Sequence, residues 1–285
     1  MRRRFFGCLA LFLALALLLV GCGRRSALRS DEARFWFFDV GQADCTLIRT
    51  KDATILIDTG NPPEDGEWEL LRMLRRAGVE QVDVLVLTHP HADHIGGAVS
   101  VLESFPVSVC LMPALTEDTE LFRNTLNALD EEGCRVIRAV RGTGLTAGEL
   151  LLEVLSPAAS YGGNANSDSV AVRVTFGKTV ALFMGDATAA TESAMLTVYG
   201  SALAANILKV SHHGSGGSSG AAFLSAVSPS FAVISCGTKN AYGFPDPDVL
   251  RRLDSLGATV CRTDTDGTVV LSVLTDGSIT KKQFK

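Results

Sequence analysis

The chain alternates short apolar runs, of the length of a strand, with stretches whose apolar side chains recur at helical spacing. Runs at 33–40, 45–50 and 54–58 predict three strands separated by polar turns. Residues 67–77 show the helical spacing and stop at Gly78, which predicts a helix. The same alternation predicts further strands at 82–87, 107–111 and 134–140 and helices at 98–104 and 117–132.

The second half of the chain has the same order, strands first and then strands that alternate with helices. Residues 170–176 and 179–184 predict two strands joined by a hairpin turn at 177–178. The other predicted strands cover 150–155, 205–210, 231–235, 259–262, 269–274 and 279–284, and the predicted helices cover 188–199, 221–227 and 248–256. Two such halves predict an α/β (α+β) protein in which two sheets pack face to face with helices outside.

The N-terminal segment departs from this pattern and predicts export. Three arginines precede an uncharged run at 5–20, which ends in Gly21 and Cys22. This ending resembles a bacterial lipobox, which implies that Cys22 is acylated and attaches the protein to the extracellular face of the cell membrane. The alternative is a single uncleaved membrane anchor at the N-terminus. We expect a lipoprotein signal peptide at 1–22, a polar tether at 23–32 and one hydrolase domain at 33–285.

Composition fits a globular body and limits its partners. The 285 residues are 47% hydrophobic, which is enough for a full core. The net charge is −5, and it becomes −8 without the three arginines of the leader, since 23 basic residues then face 31 acidic ones. This balance opposes broad nonspecific binding of nucleic acid, although it permits a locally basic groove or bound divalent metals.

The cysteines of the body do not have the spacing of a metal site or a dense disulfide scaffold. They lie far apart and mostly within apolar stretches, at Cys45, Cys110, Cys134, Cys236 and Cys261. We expect buried free thiols, with one disulfide bridge as the alternative in an exported protein.

The five histidines of the chain fall in two clusters, and the first cluster predicts a metal centre. His89, His91 and His94 share six positions with Asp93, directly after a buried strand. A tight loop there can direct His89 and His91 to one metal, while Asp93 and His94 turn toward a second. Glycines at 96 and 97 let the backbone close beneath the loop.

This histidine loop resembles that of the metallo-β-lactamase superfamily. Segments at 38–44, 56–60, 184–186 and 209–215 resemble, in order, those of the C-terminal hydrolase domain of the competence protein ComEC and its stand-alone exported relatives. The resemblance covers about residues 33–285. It implies a four-layer αββα sandwich that holds two divalent metal ions, most often zinc and sometimes manganese.

The resemblance also implies roles for single residues. Asp186 would bridge the two metals, because a carboxylate offers two oxygens. One of His212 and His213 would complete the second metal's ligands, with His212 preferred because it lies nearer the strand end, and the other would move protons or contact the substrate. A pair of core histidines is the alternative. Asp58 would orient the histidine loop from behind, with a simple turn aspartate as the alternative. Apart from the resemblance, the charge of Lys209 suits a cation at the developing oxyanion, with a solvated lysine at a strand end as the alternative, and Asp93 would serve catalysis as well as metal binding.

Two segments depart from the pattern of the family. A polar stretch at 164–169 stands where many members supply another histidine, so that Asn166 or Asp168 becomes a possible oxygen ligand and one metal is held more weakly. Phe244 and Asp246 replace two histidines that ComEC-like domains often carry near the mouth. This replacement affects any substrate contact or proton transfer at that place.

The sequence therefore predicts an exported metal-dependent hydrolase, most simply a phosphodiesterase or nuclease that acts on extracellular DNA. One alternative is a phosphoester hydrolase of a cell-wall polymer, such as teichoic acid that carries phosphorylcholine. The other is a non-catalytic surface accessory of DNA uptake with a structural metal. No protein partner can be inferred from the sequence. We expect the protein to contact the membrane through the lipid on Cys22.

Overall fold

The computed structural model describes residues 28–62, 69–115, 117–158 and 164–284. The predicted signal peptide with Cys22 lies outside these ranges, as does the first half of the predicted tether. Within the described ranges, no helix is both long enough and apolar enough to cross a membrane.

The first sheet has eight strands and is half antiparallel, half parallel. Its strands are β1 (Glu32–Phe37), β2 (Thr46–Arg49), β3 (Thr54–Ile57), β4 (Val82–Val86), β5 (Val107–Met112), β6 (Arg135–Arg138), β14 (Val269–Leu274) and β15 (Ile279–Gln283), in the spatial order β15-β14-β1-β2-β3-β4-β5-β6. Strands β3 to β6 run parallel, and the others pair antiparallel. The parallel run carries the crossover helices that the alternating pattern predicted.

The second sheet has seven strands and repeats that division. Its strands are β7 (Gly144–Ala147), β8 (Leu150–Ser156), β9 (Ala171–Phe176), β10 (Thr179–Phe183), β11 (Ile207–Lys209), β12 (Phe231–Ile234) and β13 (Thr259–Arg262), in the spatial order β13-β12-β11-β10-β9-β8-β7. The predicted hairpin between β9 and β10 is confirmed. The sequence prediction missed β7, a four-residue edge strand in which only Ala147 is buried, because it lacks an apolar run.

Helices cover the outer faces of both sheets. They are α1 (Glu69–Arg76), α2 (Ala92–Ile95), α3 (Ala98–Ser104), α4 (Glu120–Glu131), α5 (Ala189–Tyr199), α6 (Ala221–Val227), α7 (Pro247–Ser255) and α8 (Thr263–Asp266), with short 3-10 turns at Gly200–Leu203 and Ser211–Gly214. The longer helices lie within a few residues of their predicted positions. Helix α4 begins at its cap Thr119, whose side chain accepts a hydrogen bond from the Phe122 N–H at 3.2 Å.

Three apolar layers hold these elements together, which confirms the four-layer αββα arrangement. Between the sheets, Phe37 of β1 stacks on Phe183 of β10 with ring centroids 6.2 Å apart. Leu70 of α1 lies in the layer between the first sheet and its helices, and Phe223 of α6 lies in the matching layer on the second sheet. The five cysteines of the body are free thiols, and all are buried except the half-buried Cys134.

The fold brings the ends of parallel strands from both sheets to one edge of the sandwich. Asp58 follows β3, the histidine loop follows β4, Asp186 follows β10 by a short turn, and the second histidine pair follows β11. Polar groups at the carboxyl ends of parallel strands commonly form ligand sites. This edge therefore carries the candidate metal centre.

Candidate metal centre

The histidine loop is a tight turn that leaves β4 and enters the single-turn helix α2. His89 is buried, and His91 caps α2 by accepting at its carbonyl from the His94 N–H at 3.1 Å. Gly96 lies so close to Pro62 that an added Cβ would approach its nitrogen to 2.2 Å, so a side chain cannot be accommodated. The loop is thus packed directly onto the segment after β3.

Asp186 enters the same space from the second sheet. The preceding Gly185 has φ +52°, and an added Cβ would lie 3.0 Å from the Thr88 side chain, so glycine lets the two turns meet. The Asp186 N–H donates to Ser169 Oγ at 3.2 Å, which fixes the carboxylate's backbone. The two carboxylate oxygens then face two different groups of donors.

The first group, here called the first subsite, consists of His89, His91 and Asp186. His89 Nε2 lies 3.1 Å from His91 Nδ1 and 3.8 Å from Asp186 Oδ2. The three ligand atoms lie within 4.8 Å of one another, a spacing that one ion can bridge.

The second group, the second subsite, consists of Asp93, His94, His213 and the same Asp186. His94 Nε2 lies 3.2 Å from Asp186 Oδ1, and His213 Nε2 lies 3.2 Å from Asp93 Oδ2. Asp186 therefore presents Oδ1 to the second subsite and Oδ2 to the first. This is the geometry of a carboxylate shared between two sites, as the resemblance implied.

The contacts that the donors make within the protein fit divalent metal ions. His94 Nε2 and Asp186 Oδ1 are both buried; they face each other at 3.2 Å, but within the described part of the chain neither makes a hydrogen bond of good geometry. A buried nitrogen and a buried carboxylate oxygen left in this way cost free energy unless a cation satisfies them. Imidazole nitrogens and carboxylate oxygens suit zinc, manganese or iron, so the donor set is compatible with any of these metals.

The electrostatics of the second subsite show how strongly it attracts positive charge. Burial alone would lower the pKa of His213, but Asp44 and Asp93 raise it to about 9. Burial likewise opposes the charged form of His94, yet the carboxylates of Asp186 and Asp58 raise its pKa well above the ordinary value. Without metal, protons take the place of the cation, so metal and protons compete for these nitrogens.

Asp58 stands directly behind the histidine loop, where the resemblance implied an orienting carboxylate. Its Oδ2 lies 2.8 Å from His94 Nδ1 and accepts from the Thr88 hydroxyl at 2.8 Å, while Oδ1 accepts from the Thr88 N–H at 2.8 Å. Burial raises the pKa of Asp58, against the opposing effect of His94. The contact fixes the His94 ring so that Nε2 points at Asp186.

The sequence suggested that Lys209 faces the metal centre, but its contacts lie elsewhere. Its Nζ is buried, donates to Asp44 Oδ2 at 2.8 Å and to the Val210 carbonyl at 3.1 Å. Asp44 Oδ1 in turn lies 3.3 Å from His213 Nδ1, which donates to the Ser235 carbonyl at 3.0 Å. Burial would raise the pKa of Asp44, but Lys209 and His213 hold it well below the ordinary value. These contacts place Lys209 behind His213 rather than at an oxyanion.

The structure also exchanges the expected places of the two neighbouring histidines. His213, rather than His212, belongs to the second subsite. His212 Nε2 lies 3.5 Å from Asp186 Oδ2, on the side of the first subsite, and its side chain is 29% exposed. Both residues have positive φ, 50° and 53°, so the backbone turns sharply and sends the two rings to opposite sides of Asp186. This corrects the preference for His212 in the second subsite, while metal binding by either residue stays a prediction.

The segment that replaces a family histidine lies against the Asp186 turn. Ser169 contacts the Asp186 N–H, and Asn166 Oδ1 is buried without a hydrogen-bond partner among the described residues. Asp168 is buried but does not belong to either subsite. Their use as oxygen ligands stays a prediction.

Two contributors to the site were missed by sequence reasoning. Thr88 Oγ1 lies 3.1 Å from His89 Nδ1 and 3.3 Å from His94 Nδ1, besides its bond to Asp58. A polar residue directly between a buried strand and the histidine loop was the available signal. The Ser235 carbonyl had none, since any residue supplies that group.

The comparisons with known proteins agree with this geometry. The family model described as the metallo-beta-lactamase superfamily matches residues 38–238. This range contains the whole histidine loop, Asp186 and the second histidine pair.

Among curated proteins, the chain is similar to three proteins of bacterial competence or recombination. It is 32% identical to ComE operon protein 3 of Bacillus subtilis over 84% of this chain and 33% of that protein. It is 30% identical to competence protein ComA of Neisseria gonorrhoeae over 86% of this chain and 33% of that protein. It is 32% identical to recombination protein 2 of Haemophilus influenzae over 84% and 28%. The chain thus spans about a third of the length of these relatives.

Solved structures show the same fold at low sequence identity. The diiron β-hydroxylase CmlA of Streptomyces venezuelae is 16% identical with a TM-score of 0.58, over 86% of this chain and 55% of that one. The metallo-beta-lactamase fold protein YhfI of Bacillus subtilis is 14% identical with a TM-score of 0.52, over 88% and 100%. On the family match and on the fold, the chain belongs to the metallo-β-lactamase superfamily, as a relative of the ComEC-like competence proteins.

Proposed function

We propose that the protein is a metal-dependent phosphodiesterase whose reaction takes place at the two subsites. The observation that carries the proposal is Asp186, which presents one buried oxygen to each group of donors. Two divalent ions held there would polarise a phosphoryl group and activate a water for attack on phosphorus.

The residues of the chain supply orientation and proton handling. Asp58 fixes His94, and Asp44 with its partner Lys209 stands behind His213. The ring of His212 is partly exposed and lies next to Asp186, so it is placed to hold or release a proton beside a bound substrate. Rigid support of this kind is what a site needs to act on a substrate without first rearranging.

As substrate we propose a phosphodiester of nucleic acid outside the cell. The similarity to proteins named for competence and recombination supports this choice, although it covers about a third of their length. The rival substrate is the phosphoester of a cell-wall polymer.

The test is turnover by the full chain purified in detergent and loaded with zinc, manganese or iron in turn. We expect metal-dependent hydrolysis of bis-p-nitrophenyl phosphate and of single-stranded or duplex DNA, with two metal ions per chain by elemental analysis. The matched control is Leu126→Ala, which changes an exposed apolar residue on α4. Full metal occupancy without hydrolysis of any phosphodiester would refute the proposal. DNA binding without turnover would favour a non-catalytic accessory of DNA uptake.

We also propose that the protein is exported and attached to the extracellular face of the cell membrane by lipid on Cys22. The support is the sequence at 5–22. Metabolic labelling with a palmitate analogue should mark the wild-type chain and leave Cys22→Ser unlabelled. Equal labelling of both would refute acylation at Cys22, and retention of the unlabelled Cys22→Ser chain in the membrane would favour a spanning anchor.

A further inference from the structure

An aromatic pair, here called the aromatic platform, lies next to the metal centre, with one ring exposed and the other half-buried. It consists of Tyr242 and Phe244, whose rings stack with centroids 5.5 Å apart and planes at 16°. Tyr242 is 70% exposed, and it is the one aromatic residue among the exposed large apolar residues of the described ranges. One face of its ring packs on Phe244, so the other face meets solvent.

The platform is continuous with the metal centre. The Phe244 ring contacts His212 with centroids 5.8 Å apart and planes at 67°. His212 Nε2 lies 3.5 Å from Asp186 Oδ2. A row of rings therefore leads from the solvent-facing side of Tyr242 to the carboxylate shared by the two subsites.

The loop that carries the platform is held rigid. The Asn240 side chain donates to the carbonyls of Gly237 and Phe244 at 3.0 and 2.7 Å and accepts from the Phe244 N–H at 2.9 Å. Both ends of this loop are bonded to neighbouring segments of the site. The Gly237 N–H donates to Gln42 Oε1 at 3.0 Å, and the Asp246 N–H donates to the Gly214 carbonyl at 2.8 Å. A surface fixed in advance loses little conformational entropy when a ligand binds.

We propose that Tyr242 stacks a base of a single-stranded nucleic acid while a phosphate of the same strand lies at the metal centre. The proposal rests on the proposed function and names its substrate class. A flat π-face open on one side suits a planar base, and stacking of this kind tolerates any base. The quaternary ammonium of a choline ester is instead recognised by rings that surround it at several angles, whereas these two rings are nearly parallel and present one face.

The position of the platform predicts which kinetic constant it affects. Tyr242 is separated from Asp186 by two rings, so a stacked base belongs to a nucleotide near the reacting phosphate and not to the reacting group itself. Such a contact is made equally before and during reaction. Its loss raises KM and leaves kcat unchanged. A small phosphodiester that cannot reach Tyr242 should not sense the substitution.

The experiment measures binding and turnover separately with the full chain in detergent. Binding of a fluorescein-labelled thymidine decamer with phosphorothioate linkages, which resist hydrolysis, is followed by anisotropy with the metal-loaded protein. We expect Tyr242→Ala to weaken binding roughly tenfold, the effect of losing stacking on one aromatic ring, and Tyr242→Phe to bind as wild type. Leu126→Ala, another exposed apolar residue, is the matched control and should also bind as wild type. In turnover, Tyr242→Ala should raise KM about tenfold on the decamer with ordinary phosphodiester linkages and not on bis-p-nitrophenyl phosphate.

Three outcomes would contradict the proposal that Tyr242 stacks a base. One is unchanged binding of the decamer by Tyr242→Ala. Another is an equal loss on an abasic strand of the same length, which would assign the contact to the backbone. The third is a loss of turnover of p-nitrophenylphosphorylcholine by Tyr242→Ala larger than that on the decamer, which would assign the platform to choline. Tyr242-dependent binding in a protein that hydrolyses no phosphodiester would uphold the platform and refute the proposed catalysis.

Discussion

The two subsites share Asp186 but differ in what stands behind their histidines. In the second subsite, carboxylates support both rings, with Asp58 Oδ2 2.8 Å from His94 Nδ1 and Asp44 Oδ1 3.3 Å from His213 Nδ1. In the first subsite, His89 Nδ1 faces the neutral hydroxyl of Thr88 at 3.1 Å. A carboxylate behind a histidine fixes its orientation and makes it a better ligand.

Because of this difference, we expect the two subsites to bind metal with unequal affinity. The second subsite combines four donors with two supporting carboxylates, whereas the first has three donors, and His91 is only partly buried. The polar segment at 164–169, which takes the place of a family histidine, adds no histidine nitrogen to either subsite. We therefore expect the second subsite to fill at lower metal concentration than the first.

The largest effect should come from removing the residue that the subsites share. Asp186→Ala should reduce the metal bound at both subsites and lower phosphodiesterase activity by more than roughly 100-fold. That is the upper end of the loss expected when a residue that only hydrogen-bonds to a metal ligand is removed. Elemental analysis and turnover measure the two effects. If one metal stayed bound at full affinity, Asp186 would not be shared.

A pair of variants separates the subsites directly. His91→Ala should release one of two metal ions and keep the other, because His91 belongs to the first subsite alone. His94→Ala should lose the tightly held ion and raise the metal concentration needed for half occupancy by more than His91→Ala does. Calorimetric titration of each variant with zinc checks this order of affinities. The reverse order would contradict the comparison.

The buried pair behind His213 should govern stability. Lys209→Met removes the cation bonded to Asp44 Oδ2 and leaves His213 as the remaining cationic neighbour of this buried carboxylate, and breaking a buried pair in this way costs about 3–5 kcal/mol. Urea unfolding of the metal-free protein measures the loss. The double variant Lys209→Met/Asp44→Asn should recover most of it, since no uncompensated charge remains. An equal loss in both would show that packing, not charge, is responsible.

Asp58→Asn should act on the second subsite alone. Asparagine keeps the shape and tolerates the φ of 57° at this position, but it removes the charge behind His94. Affinity for the second metal should fall roughly 10- to 100-fold. The control Asp52→Asn changes an exposed aspartate and should have no effect. A comparable fall at the first subsite would mean that Asp58 supports the whole loop.

The smallest expected effect is a pH dependence of the metal-free protein. The folded-state pKa of His213 is raised to about 9 by Asp44 and Asp93 against the effect of burial, so its proton stabilises the fold fully below pH 6.5. That stabilisation is lost as pH rises from about 6.5 to 9, and Tm should fall by several degrees. Metal affinity should rise over the same window. His213→Gln should show a flatter profile, and an identical profile would exclude His213 as the cause.

Much of the fold was predictable because its signals are local. Apolar runs and helical spacing located most strands and helices, and the adjacency of His89, His91, Asp93 and His94 made a metal centre recognisable without coordinates. Strand β7 escaped because an exposed edge strand needs no apolar run. The resemblance then implied the partner motif around Asp186, although its spacing from the loop carries no local signal.

The layered architecture and the set of candidate donors follow from local sequence, since burial patterns and short motifs are properties of neighbouring residues. Which donors meet, and which way each one faces, depends on how the two sheets pack. Lys209 pairs with Asp44 across 165 positions of the chain, because β11 ends beside the loop before β2 when the sheets stack. His212 and His213 diverge because two successive left-handed residues turn the backbone. Orientation of this kind depends on long-range packing, which no run of adjacent residues encodes.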